Sequence, residues 1–233
     1  ETVSTNFKRM SVRAYVHTCV RVCVCVYVYV DVHACVRVRA CVCIHVCIIK
    51  PTLSKWEECN RIRSVAAGEF HVLYLTTQGK LYSCGNNEVG QLGWQSDESH
   101  CPALVETFKG CTISTVACGQ QHSMALDEWG QPFSWGSDEM GQLGTNLGAH
   151  AQDKPKIIKF LATKNIVQIA CGANHSFALS NNGELYAWGA NNFGQCGLGN
   201  MTIKEMIPKQ ITSLSGVPIA MIACGSNHTF CIV

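Results

Sequence analysis

The sequence predicts an all-β chain: a partial β-propeller of about three blades plus the start of a fourth, preceded by a non-globular N-terminal segment. Three observations carry this. One phrase recurs as Ala66-Ala67-Gly68-Glu69-Phe70-His71, Ala117-Cys118-Gly119-Gln120-Gln121-His122, Ala170-Cys171-Gly172-Ala173-Asn174-His175 and Ala223-Cys224-Gly225-Ser226-Asn227-His228, with its histidines 51, 53 and 53 residues apart. Between copies, apolar residues roughly alternate with small or polar ones in short runs, the period of a strand. Each interval of roughly fifty residues holds about four such runs, the size of one propeller blade.

The elements follow in order within each unit. The first strand ends at the Ala-Cys-Gly phrase. After each histidine comes an apolar run, Leu73-Tyr74-Leu75, Met124-Ala125-Leu126 and Phe177-Ala178-Leu179, then a turn at Thr77-Gln78-Gly79, Glu128-Trp129-Gly130 and Asn181-Asn182-Gly183. The Asn-Gly dipeptide in the last turn predicts a type I′ hairpin with positive φ at both central residues. The third run closes on Cys84-Gly85, Trp135-Gly136 and Trp188-Gly189. A loop with two glycines three apart follows, Gly90-Gln91-Leu92-Gly93, Gly141-Gln142-Leu143-Gly144 and Gly194-Gln195-Cys196-Gly197, where a tight reversal suits residues without a side chain. A last β-like stretch, such as Pro155 to Phe160 or Pro208 to Ile211, leads to the next phrase. The expected blades span about 62–112, 113–165 and 166–218, with the next beginning at 219–233, inside a repeat region at 56–233.

These residues resemble the regulator-of-chromosome-condensation repeat: Cys-Gly-x-x-His-(Ser/Thr)-x-Ala-Leu, then an aromatic strand ending in Trp-Gly, then Gly-Gln-Leu-Gly, recurring in register from about Ile62 to Val233. The resemblance implies a seven-bladed β-propeller. Gly197-Leu198-Gly199-Asn200 and the stretch from Ser213 to Gly225 further resemble the propeller of the HECT-and-condensation-repeat (HERC-type) ubiquitin ligases. Departures stand at Cys84 for Trp, Ala67 for Cys and Cys196 for Leu, variation that suits packing positions. Seven blades need roughly 350 residues, so the chain is expected to be a fragment, and an arc with open edges is expected to aggregate when made alone.

The segment 1–55 reads differently. From Val20 to Ile48 every even position is Val, Ala or Ile, while odd positions carry Cys, Tyr, Arg, His and one Asp. Such a run far exceeds the usual strand length of about five or six residues. It reads instead as a translated simple-sequence tract, Tyr15 to Ile49, and not as a domain. Arg21, Asp31, Arg37 and Arg39 leave no apolar stretch long enough for a membrane span, no signal-peptide pattern is present, and Cys-x-Cys lacks the usual zinc-knuckle spacer.

Charge divides the chain: residues 1–50 carry seven Lys/Arg against two acids, leaving eleven against fourteen for the remainder, or −3. That excludes the basic footprint of a nucleic-acid binder. Seven of the sixteen cysteines lie in the N-terminal tract, and Cys118, Cys171, Cys224 and Cys231 sit in apolar strand-like settings, where Cys acts as a small hydrophobe. Reduced thiols in the cytoplasm, or in the nucleus, are expected.

The Cys-x-x-x-His spacing could offer half a zinc site per repeat, but successive copies fall on different blades and the first lacks the Cys. The expectation is that Gly68, Gly119, Gly172 and Gly225 permit a turn while His71, His122, His175 and His228 hydrogen-bond nearby backbone, with Trp135 and Trp188 as core. No P-loop, dinucleotide fingerprint or nucleophile elbow occurs. No catalytic residue, cofactor or metal is therefore expected.

What remains is an interaction surface in the rim loops, 94–101, 145–153 and 200–207, with Asp97, Glu98, His100, His150 and Asp153 as candidate contacts. The expected function is a protein–protein interaction scaffold. The resemblance implies the substrate- or regulator-binding propeller of a HERC-like E3 ubiquitin ligase, without its catalytic domain. The alternative is guanine-nucleotide exchange on a small Ran-type GTPase, the activity of the family's founding member. Partners are expected to be a ubiquitination substrate, a regulator or a small GTPase, with no nucleic acid or membrane.

Overall fold

Alternating apolar residues and short turns fold each repeat into a four-stranded antiparallel meander. In the computed structural model the described residues are 23–24, 44–45, 61–95, 98–148 and 150–233, with backbone alone at 23–24, 44–45 and 98–100. In the N-terminal unit, β1 (Cys23–Val24) pairs antiparallel with β2 (Ile44–His45). The rest of the Val/Cys tract, and so the reading of 1–55, lies outside the described residues.

The first sheet is β3 (Ile62–Ala67), β4 (His71–Thr76), β5 (Leu81–Asn86) and β6 (Glu98–Leu104). The second is β7 (Ile113–Cys118), β8 (His122–Asp127), β9 (Pro132–Ser137) and β10 (Ala151–Ile157), and the third β11 (Ile166–Cys171), β12 (His175–Ser180), β13 (Leu185–Ala190) and β14 (Lys204–Gln210). A two-stranded sheet, β15 (Met221–Cys224) and β16 (Thr229–Ile232), follows. Strands neighbour in sequence order within every sheet. The first strands β3, β7, β11 and β15 touch one another in succession, which sets them innermost. The chain is all-β, a partial propeller.

The core lies between sheets. Leu73, Leu75, Val105, Phe108, Ile113 and Trp135 fill the first junction, with Phe108 edge-on to Phe133 at 5.1 Å. Met124, Ile158, Leu161, Ile169, Tyr186 and Trp188 fill the second, and Phe177, Leu185, Cys196, Ile211 and Ile222 the third. Strands β8 and β12 are buried along their whole length because a sheet covers each face.

Two expectations need correction. The Asn181-Asn182-Gly183 hairpin is not type I′. Gly183 N–H donates to the Ser180 carbonyl (3.0 Å), Ser180 N–H donates to the Glu184 carbonyl (3.0 Å), and of the loop residues only Gly183 has positive φ, at 81°. That is a type I turn closed by a glycine bulge, the geometry of a three-residue hairpin loop. Gly79 and Gly130 repeat it, at 75° and 80°. The loop takes this form because the residue that opens it caps it: Thr76 Oγ1, Asp127 Oδ1 and Ser180 Oγ accept from Lys80, Gln131 and Glu184 N–H at 2.8–3.0 Å.

The outer strands also begin earlier than their prolines suggest. β6, β10 and β14 each shift register around Pro102, Pro155 and Pro208, opposite Cys84, Trp135 and Trp188, between flanking pairs at Ser83/Gly85, Ser134/Gly136 and Ala187/Gly189. A bulge on an edge strand tolerates the missing N–H. Consequently Glu98, His100 and Asp153 stand on strands, not in loops.

Candidate functional site

The repeated phrase builds one hydrogen-bonded latch at each junction. His71 Nε2 lies 2.9 Å from Ser123 Oγ of the next sheet, His122 Nε2 2.9 Å from Ser176 Oγ, and His175 Nε2 3.0 Å from Thr229 Oγ1. Each hydroxyl in turn donates back to the carbonyl of Gln91, Gln142 or Gln195 at 2.8–3.1 Å. A carbonyl can only accept, so the hydroxyl proton is committed and the imidazole must donate. The rings therefore carry a proton on Nε2. The Gln91 and Gln142 carbonyls spend a second lone pair on Trp135 and Trp188 Nε1–H, at 2.9 and 2.8 Å.

Burial enforces the neutral state. It depresses His71 to about 4, His122 to about 3 with His71 and His175 adding to the effect, and His175 to about 4 with His228 adding to it. Nδ1 of all three is buried without a partner among the described residues, which suits a ring nitrogen carrying no proton.

The expected histidine-to-backbone bonds are thus corrected for three of the four: His71, His122 and His175 bond a hydroxyl one repeat away through Nε2, while His228 is exposed. The preceding glycines open the turn as expected, each N–H donating to the carbonyl of its own histidine at 2.8–2.9 Å, and what the turn requires of them is space. A side-chain carbon on Gly68, Gly119, Gly172 or Gly225 would overlap the imidazole of its own histidine, and on Gly119 it would also lie 2.6 Å from the Gly172 carbonyl oxygen. Successive Gly-x-x-His loops are further stitched by backbone bonds, Glu69 N–H to Gln120 carbonyl (3.1 Å), Gln120 to Ala173 (2.9 Å) and Ala173 to Ser226 (3.1 Å).

Cys118 and His122 face opposite neighbours: the thiol donates to the Ala66 carbonyl of the preceding sheet (3.4 Å), while the imidazole serves the following one. Among the described residues no three His, Cys, Asp or Glu side chains converge on a metal position. Burial pushes the Cys118 thiol up to about 12 and Cys224 to about 11, leaving unreactive thiols.

The Gly-Gln-Leu-Gly loops are double-locked. Asn87, Asp138 and Asn191 side chains accept from Leu92, Leu143 and Cys196 N–H at 2.8–3.1 Å. Gln91, Gln142 and Gln195 Oε1 accept from Val89, Met140 and Phe193 N–H at 2.8–3.1 Å. These side chains hold a fixed rim, and the sequence reading missed them and the three hydroxyls. The available signal was the glutamine, unchanged in all three copies.

Of the candidate contact residues, Asp97 lies outside the described residues, and Glu98 and His100 are placed by backbone on β6. His150 and Asp153 are exposed. Asp153 Oδ2 accepts from Gln95 Nε2 at 3.4 Å beside a cleft of about 370 Å³ bordered by Glu88 and Trp94. Of the five, His150 and Asp153 alone have described side chains.

Comparison with known proteins gives the same architecture. The chain superimposes on human WBSCR16 with a TM-score of 0.68 and 26% identity, over 74% of this chain and 45% of that one. It superimposes on yeast RCC1 (Prp20), solved with Kap60, at 0.67 and 26%, over 72% and 41%. In sequence it is 36% identical to human HERC6 over 168 residues, 72% of this chain and 16% of that protein. It is 34% identical to the human E3 ubiquitin-protein ligase HERC2 over 184 residues, 78% and 4%. The chain thus spans a small part of these relatives. The family model described as the RCC1-like domain matches residues 44–233, and the chain belongs to that family.

Proposed function

We propose that this chain is the substrate- or regulator-recruiting propeller of a HERC-like E3 ubiquitin ligase, acting in the cytoplasm. The observation that carries the reading is sequence identity of 34–37% to several HERC proteins across most of the repeat region. The geometry agrees with it. The repeated histidines, hydroxyls and tryptophans are consumed in holding sheets together, which leaves the rim loops as the variable surface and recruitment as their chemistry. The test is competition: the chain in excess over a HERC-type ligase in a reconstituted reaction lowers substrate modification, and unchanged modification contradicts the proposal.

A second reading, nucleotide exchange on a Ran-type GTPase, draws on likeness to Prp20p of Saccharomyces cerevisiae, whose structure is described with its binding to Gsp1p and histones; the two chains are 26% identical. Recruitment without exchange predicts an unchanged rate of labelled GDP release from such a GTPase when the chain is added. A large acceleration transfers the function to this second reading.

A further inference from the structure

The two rims of the propeller differ in chemistry. Strand order puts the β3–β4, β5–β6, β7–β8, β9–β10, β11–β12, β13–β14 and β15–β16 connections at one rim, and the hairpin turns and inter-sheet connectors at the other. No Lys or Arg occurs in 68–70, 87–97, 119–121, 138–150, 172–174, 191–203 or 225–228, whereas the opposite rim carries Lys80, Lys109, Lys159 and Lys164 against Glu106, Glu128 and Glu184. The loops without Lys or Arg also expose apolar groups, Phe70, Leu147, Phe193, Met201 and Ile203, with Phe193 at 65% and Met201 at 79%; the opposite rim exposes Trp129 and Phe160.

The locked loops add a repeating row to this rim. Val89, Met140 and Phe193 take the same place in the three Gly-Gln-x-Gly loops, each held by its glutamine, Val89 and Met140 half-buried and Phe193 exposed, and are preceded by exposed Glu88, Glu139 and Asn192. One cation reaches this rim from a strand: the Lys204 ammonium, at the start of β14, donates to the Glu139 backbone carbonyl at 3.0 Å. Exposed apolar groups on a fixed frame mark an interaction surface, and the sign of the surrounding charge selects the partner.

We propose that this rim docks a basic amphipathic protein segment, whose apolar side chains cover the Val89–Met140–Phe193 row while its Lys or Arg groups meet Glu88 and Glu139. The inference rests on the recruitment reading and names the chemistry of what is recruited.

The test uses the full chain and a fluorescein-labelled synthetic peptide with Lys and Arg on one helical side and Leu and Phe on the other, followed by anisotropy at low and high salt. Two control peptides replace the basic residues by Glu or the apolar ones by Ser. The basic amphipathic peptide is expected to bind, more weakly as salt rises, and both controls to fail. Glu88→Gln with Glu139→Gln lowers affinity about tenfold and flattens the salt dependence, and Phe193→Ser lowers it about tenfold. All three positions are exposed, and an unchanged near-ultraviolet circular dichroism spectrum verifies that the variants fold. Equal binding of the acidic peptide, affinity indifferent to these substitutions, or self-association through this rim in place of peptide binding overturns the proposal. Substrate competition that survives these substitutions but is lost on Trp129→Ser, at the opposite rim, overturns this docking face while leaving recruitment itself standing.

Discussion

At the residue scale, the most consequential side chains are the ones that look like filler. Ser123, Ser176 and Thr229 each accept from a histidine of the previous repeat and donate to a glutamine carbonyl of that same repeat. Removing one hydroxyl takes a hydrogen bond from two buried partners. Ser176→Ala leaves the His122 Nε2–H without an acceptor and deprives the Gln142 carbonyl of one of its two donors, a loss of about 1–3 kcal/mol. Equilibrium urea unfolding of the variant beside the parent chain reads it, and an unchanged midpoint would show that these bonds carry no net stability. The histidines themselves were legible in the sequence as a repeated position. Their partners were not, because the contacts bridge 52–54 residues, and a Ser or Thr after His reads as an ordinary strand residue.

At the scale of elements, strand identity and order were legible because the period of two shows wherever one face is buried, as in Leu73-Tyr74-Leu75. Strand limits were less so. Pro102, Pro155 and Pro208 signal strand ends, yet each sits inside an edge strand that bulges around it. The hairpin illustrates the same limit: Asn-Gly suits a two-residue loop, but the capping side chain of Ser180 and the pairing to Glu184 set a loop of three. The two geometries make opposite demands on Asn182. In the observed turn only Gly183 needs positive φ, and its Cβ position is open space. Gly183→Ala is therefore expected to cost about 1–2 kcal/mol from backbone strain alone, while Asn182→Ala costs less than about 0.5 kcal/mol. Thermal unfolding of the two variants separates the geometries, and equal losses at both positions would restore the type I′ turn.

At the scale of the molecule, the latches join the sheets into a continuous array that holds the rim loops in place. The repeat signature is consumed in building that frame, which under the proposed recruitment reading leaves recognition to the residues that differ from copy to copy. This is why the scaffold is legible in the sequence and the partner is not: the rim loops carry no repeated pattern, and the candidates Asp97, Glu98, His100, His150 and Asp153 occur once each. The latches also tie stability to pH. The unfolded histidines titrate near 6.5, the folded ones near 3 to 4, so between these values the unfolded chain binds more protons. Stability is full above about pH 6.5 and falls as pH drops toward 4, by up to about 1.4 kcal/mol per pH unit for each histidine. The most direct measurement is nitrogen NMR of the imidazoles across a pH titration of the folded chain. His71, His122 and His175 are expected as neutral, Nε2-protonated rings still untitrated at pH 5. Midpoints near 6.5 for all three, or protonation on Nδ1, would contradict the latch.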